Sequence, residues 1–174
     1  RDVAVDGAKL DILTGKNYII NGGFNVAVTG NTFTGHNKYY LDQWREASNT
    51  NDGITVFQVN LTFGARVVTG QTNALQVSLT AGNAGALNDL QQRIANPRIF
   101  AGKTVTLSFF SRVNSGTETV AAVRLTQSLN GVVSAISPTN GNSFTATTNW
   151  VKQFFNFTIP SAQPAGQSAN DNLT

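Results

Sequence analysis

The segment Tyr39-Tyr40-Leu41-Asp42-Gln43-Trp44-Arg45 concentrates more sugar-binding chemistry than any other stretch of the chain. Aromatic faces stack on the apolar faces of pyranose rings, while Asp and Arg hold hydroxyls directionally. The same residues also suit a structural role, with Trp44 turned inward as a core anchor and Asp42 bonded to Arg45 or to a backbone turn. Asp42 and Glu46, with Asp52 nearby, are the nearest approach to a glycosidase pair, which needs two acids about 5–9 Å apart across a sugar. Nothing else in the chain supports that pair, and a solvated loop accounts for it. The single His, His36, sits among polar loop residues, and any Ser-His-Asp mechanism would have to run through it. Zero Cys excludes disulfide scaffolds, zinc ribbons and thiol nucleophiles. No glycine-rich stretch has the Lys and the strand-to-helix setting of a phosphate cradle. The expectation is a protein that is not an enzyme.

Composition narrows the class further. Only 12% of the residues are charged, whereas 21 Thr, 20 Asn, 11 Ser and 10 Gln supply a surface wetted by neutral groups, which suits exposed β-strands. The net charge is +3, but the cations are scattered singly from Arg1 to Lys152; a phosphate-tracking patch would cluster them, so nucleic acid is not an expected partner. No apolar stretch approaches the ~20 residues of a membrane-spanning helix, so no membrane insertion is expected. A length of 174 residues fits one domain with one core. The chain starts with Arg and contains no Met, so a fragment of a longer polypeptide or a processed one is expected.

From Asn17 onward, short apolar runs alternate with Gly and Asn clusters, the pattern of an all-β sandwich or barrel. Thr104–Val113 alternates strictly, with Val105, Leu107, Phe109, Ser111 and Val113 on one face. Trp150, Lys152, Phe154, Asn156 and Thr158 likewise oppose Val151, Gln153, Phe155, Phe157 and Ile159. Aromatics on both faces of this last strand suggest a central position, with Trp150 in core or inter-subunit packing. Val105, Leu107, Phe109, Phe155 and Phe157 are the expected core. A short helix is expected over 86–94, where Leu87, Leu90 and Ile94 share a face, ended by Pro97.

In order and spacing, NYIINGGF (17–24), TFTG (32–35), YYLDQWR (39–45), QRIANPRIFAGKTVTLSFFSR (92–112) and WVKQFFNFTIPS (150–161) resemble the jelly-roll domain of bacteriophage tail-fibre proteins, which implies an Asn-rich first strand in 17–24. The opening RDVAVDGAKLDIL is similar to a segment of phage fibre stalks. The resemblance implies a two-sheet antiparallel jelly-roll sandwich over 17–174, with 1–16 as a stalk end or linker. It implies a carbohydrate-binding-module-like, non-enzymatic homotrimer in the virion tail, associated with other tail proteins and attached to host surface polysaccharide. Two other readings stay open: a carbohydrate-binding module of a bacterial glycan hydrolase, and a ligand-free structural spacer. Family members continue into a last strand, so the closing strand is expected to be missing after Asn170–Thr174. In related carbohydrate-binding jelly rolls, oxygens from the places of Asn21 and Asp171 hold a structural calcium, which takes 6–8 oxygen ligands. With one acid on offer, Asn21-Gly22 and Asn170–Asn172 also fit two plain turns. The expected sugar site lies in loops Thr34–Tyr40 and Ser48–Gly53 at the tip, where Tyr39 and Tyr40 stack and Asn37, Asn49 and Asn51 supply hydrogen bonds.

Overall fold

The computed structural model describes residues 16–28, 30–34, 38–41, 43–48, 54–79, 88–161 and 171–174. Its strands are β1 (Thr32–Thr34), β2 (Tyr39–Tyr40), β3 (Trp44–Ser48), β4 (Ile54–Asn60), β5 (Asn73–Leu79), β6 (Asn88–Gln92), β7 (Ile94–Ala95), β8 (Thr104–Ser111), β9 (Glu118–Val120), β10 (Leu125–Leu129), β11 (Val132–Ile136), β12 (Phe144–Ala146), β13 (Val151–Thr158) and β14 (Asn172–Leu173). Among the described residues one α-helix, α1 (Phe63–Thr69), joins β4 to β5, and a 3-10 turn spans Pro97–Phe100. Strand outweighs helix, 48% to 9%, and the ladders among the described residues are antiparallel. The fold is therefore all-β and sandwich-like, as expected. Its hydrogen-bonded pieces are β1-β4-β5, β2-β3-β6, β8-β13, β9-β12 and β11-β10-β14-β7.

Alternation along β8 and β13 builds the main core. Register pairs Leu107 with Phe155 and Val105 with Phe157, so these side chains share the inward face. Phe155 and Phe157 are fully buried, while Val105, Leu107 and Phe109 pack against them half-buried. The opposing layer supplies Val123, Ile136 and Leu173, and Phe109, Phe144 and Phe155 make a ring cluster with centroids 5.6–6.1 Å apart. A second, smaller cluster of Tyr40 and Val56 with Phe33 and Leu75 lies under β1, β4 and β5, so the apolar side chains gather in two clusters instead of one. The β10–β11 hairpin turns through Asn130 and Gly131, φ 47° and 80°, the left-handed pair that matches strand twist.

Three expectations are corrected. The helix lies at 63–69, not 86–94. Thr62 accepts a hydrogen bond from the Ala65 N–H, and left-handed Gly70 returns its N–H to the Arg66 carbonyl, so caps at both ends define a helix in spite of two β-branched valines. Residues 88–92 instead pair with β3 along five positions, a long-range ladder that outweighs the weak local periodicity. The segment 17–24 forms no strand; the buried Gln92 carboxamide takes the place of a ladder there, accepting from Ile20 N–H at 2.8 Å and donating to its carbonyl at 2.7 Å. The last described strand, β14, lies between β10 and β7.

The third correction concerns β13, which among the described residues has a single ladder partner, β8. Its other edge is covered by Thr139 and Asn140. Thr139 N–H donates to Asn156 O, and the Asn140 carboxamide accepts from Asn156 N–H and donates to Phe154 O, all within 2.8–2.9 Å. Side-chain amide thus satisfies an edge that would otherwise present open backbone groups. Of the segment 1–16, expected as a stalk end or linker, residues 1–15 lie outside the described residues.

Candidate functional site

The outer face of the β8–β13 ladder differs from the inner one in carrying aromatics among polar groups. Register sets Phe110 opposite Lys152 and Ser108 opposite Phe154. At the end of the ladder the Arg112 guanidinium lies over the Trp150 ring, 5.6 Å from its centre. This ladder borders a cleft of about 260 Å³ whose other wall comes from Phe24, Leu61 and the α1–β5 connection, with Thr69, Gln71 and Asn73. Aromatic rings (Phe24, Phe110, Trp150), carboxamides (Gln71, Asn73), hydroxyls (Thr69, Ser108) and one ammonium (Lys152) therefore converge on one concavity.

Local hydrogen bonds hold the far wall. Thr69 Oγ1 donates to Ala65 O and accepts from Gln71 N–H, which fixes the chain leaving α1. Asn25 Oδ1 accepts from Thr72 Oγ1 at 2.9 Å and from Asn73 Nδ2 at 2.8 Å. Gln58 Nε2 donates to Phe24 O at 2.6 Å. A Cβ on Gly23 would meet the Gln71 carboxamide, the far end of an exposed side chain, which would have to swing aside. The Trp150 indole Nε1–H is buried in this region with no hydrogen-bond partner among the described residues, a state that costs about 1–3 kcal/mol until an acceptor is supplied.

The cleft has the equipment for reversible binding of a polar ring compound: stacking faces and fixed donors and acceptors. No Asp or Glu is among the described residues that line it.

Of the expected tip site, Tyr39 and Tyr40 are among the described residues. Tyr39 is 55% exposed, but Tyr40 is 0% exposed and packs with Val56, Phe33 and Leu75, its ring 5.1 Å from that of Phe33. Adjacent strand residues point to opposite faces, so only one of the two tyrosines can be a stacking surface, and Tyr40 belongs to the core. Burial, with a smaller contribution from the Glu46 carboxylate, pushes the Tyr40 phenol above its ordinary range. His36, Asn37, Asp42, Asn49, Asn51 and Asp52 lie outside the described residues.

Trp44 is half-buried, its ring 5.3 Å from Phe24 and its Nε1–H donating to Asn21 O at 3.2 Å. This is the anchoring role that its sequence context allowed.

The two calcium candidates are engaged by protein groups. The Asn21 carboxamide donates to Val26 O and Leu41 O and accepts from Val26 N–H, which makes it the organiser of the 21–26 turn. Asp171 accepts from Asn130 N–H at 2.6 Å and lies 3.5 Å from Arg98 Nη2, which fastens β14 at its start. Among the described residues no group of three His, Asp or Glu side chains gathers to hold a metal.

Comparison with protein-family models, curated proteins and solved structures returns no match for this chain. The cleft is therefore weighed on its own chemistry. Its residues come from segments more than a hundred positions apart, which is why spacing did not reveal them. One sequence signal was available: Phe110, Trp150 and Phe154 stand on strand faces otherwise occupied by Ser, Arg, Lys and Asn. An aromatic on a polar strand face is a surface feature, since packing alone would place it on the other side.

Proposed function

We propose that this chain is a non-enzymatic adhesion module of a bacteriophage tail fibre, holding host surface polysaccharide in the cleft between the β8–β13 ladder and the α1–β5 connection. The observation that carries this reading is the lining itself: Phe24, Phe110 and Trp150 offer ring faces, and Gln71, Asn73, Ser108 and Thr69 offer directional hydrogen bonds. The all-β fold and the tail-fibre-like segments described above support the same reading.

In this reading the module works as a homotrimer in the virion tail, beside other tail proteins. Three shallow sites suffice for attachment, because millimolar contacts of ~4 kcal/mol each gain orders of magnitude when displayed together.

A glycan array probed with the folded full chain tests the proposal. Binding to surface polysaccharides that is lost on Trp150→Ala or Phe110→Ala, with secondary structure retained, is the expected result. A folded chain that binds no glycan on the array overturns the adhesion reading in favour of a spacer. Light scattering coupled to size exclusion should give a trimer, and a clean monomer of the full chain contradicts that part.

A further inference from the structure

The cleft and the sheet face beside it carry two cations, Lys152 and Arg112, both exposed. In a chain with 12% charged residues such a concentration on one face is notable. The ion pairs among the described residues lie elsewhere, Arg98 with Asp171 and Arg124 with Asp89, and neither Lys152 nor Arg112 pairs with a carboxylate among the described residues.

Arg112 is oriented without one, by the Trp150 ring beneath its guanidinium and by the hydrogen bond from its Nη2 to Asn114 Oδ1 at 2.9 Å. Lys152 faces Phe110 across the ladder, so a ligand stacked on Phe110 lies within reach of the ammonium. A neutral ring placed there would displace water from Lys152 and give it no countercharge, which is unfavourable. A ring bearing an anion supplies that countercharge and a charge-assisted hydrogen bond, and these bonds are about twice as strong as neutral ones. The lining has no carboxylate among the described residues that would repel the anion.

We infer that the saccharide this cleft selects is an acidic one, its carboxylate or phosphate held by Lys152 while its ring stacks on Phe110 and Trp150, with Arg112 adding to the local positive field. The inference rests on the adhesion reading above and adds the ligand's charge. The cation count limits the effect to one close contact and one longer-range one, so attraction is short-ranged at physiological salt, where the screening length is about 8 Å.

The test titrates the full chain with tetragalacturonate, neutral galactotetraose and galactose 6-phosphate, following dissociation constants at low and high salt. The wild type should bind tetragalacturonate more tightly than galactotetraose. Lys152→Gln should weaken the acidic sugar about fivefold, the reach of one exposed charge contact, and should not weaken the neutral one, which no longer strips water from an ammonium. Arg112→Gln should act in the same direction with a smaller change, and added salt should erode the preference. Tighter binding of galactose 6-phosphate than of its unphosphorylated form would assign the anion as phosphate, and preference confined to tetragalacturonate would assign it as carboxylate.

Equal binding of acidic and neutral sugars, unmoved by Lys152→Gln, overturns the inference and leaves the adhesion reading standing. No binding of any of the three, together with a blank glycan array, removes the adhesion reading and this inference with it. Both substitutions are at exposed positions, and an unchanged melting temperature confirms that the variants are folded.

Discussion

Replacing Gln92 by Met removes the amide that holds residues 17–24 against the sheet while keeping a side chain of similar length. Gln92 is buried and makes two hydrogen bonds to the Ile20 backbone, 2.8 Å from the N–H and 2.7 Å to the carbonyl. A net loss of about 1 kcal/mol per bond gives about 2 kcal/mol where water can reach Ile20, rising to about 4 kcal/mol where it cannot. Burying a thioether instead of an amide offsets about 1 kcal/mol of this. The expected net loss is therefore about 1–3 kcal/mol, which at this chain length lowers Tm by about 4–8 °C for a loss near 2 kcal/mol. Gln91→Met is the matched control: Gln91 is half-buried in the same strand, opposite Arg45, and its change should stay within about 0.5 kcal/mol. Urea unfolding of the three proteins, followed by tryptophan fluorescence, measures both. Equal stability of Q92M and wild type, or an equal loss in Q91M, would refute the claim that a buried carboxamide replaces a strand here.

Three more outcomes follow from the packing. Tyr40→Ala should destabilise by about 3–5 kcal/mol, the range for emptying a buried aromatic site, whereas Tyr39→Ala should leave the melting temperature within about 2 °C; thermal melts of the two single variants separate them. The raised Tyr40 phenol makes stability insensitive to this group below about pH 9 and diminishes it above about pH 10, where the unfolded chain ionises before the folded one. Tyr40→Phe should therefore flatten the alkaline limb of a stability–pH curve, and an unchanged limb would show that another group sets it. Leu173→Ala should cost about 2–5 kcal/mol, because Leu173 is buried in the main core although it is the second-last residue; a loss below about 0.5 kcal/mol would mean that β14 is not seated there.

The strands were legible in the sequence because their signal is local. Strict alternation over 104–113 and 150–159 identified β8, β13 and the inward Phe155 and Phe157, whereas Tyr39 and Tyr40 were both expected to stack at the tip although the same period of two sends adjacent residues to opposite faces. The helix was misplaced for a physical reason. Caps at Thr62 and Gly70 define α1, and three apolar positions in 86–94 were a weaker cue than the ladder that Glu46 and Arg45 make with Leu90 and Gln91.

The amides were the least legible. Thirty Asn and Gln residues suggest a wetted surface, yet Asn21, Gln58, Gln92 and Asn140 bind backbone groups and substitute for missing strands. Their partners lie as many as 72 residues away, a relation that no local pattern encodes. The cleft was hidden in the same way, since Phe24, Gln71, Phe110 and Trp150 meet only after the sheets assemble.

The chain has two tryptophans, so its proton–nitrogen NMR spectrum carries two indole signals that report on two places. Trp44 Nε1–H is bonded to Asn21 O, whereas Trp150 Nε1–H has no partner among the described residues and sits at the cleft. Trp150→Phe assigns the pair. On titration of the full chain with tetragalacturonate and galactotetraose, the Trp150 signal should move in a saturable way while the Trp44 signal stays in place. A shift confined to Trp44, or no shift of either signal at millimolar sugar, would contradict a glycan-binding cleft at this site.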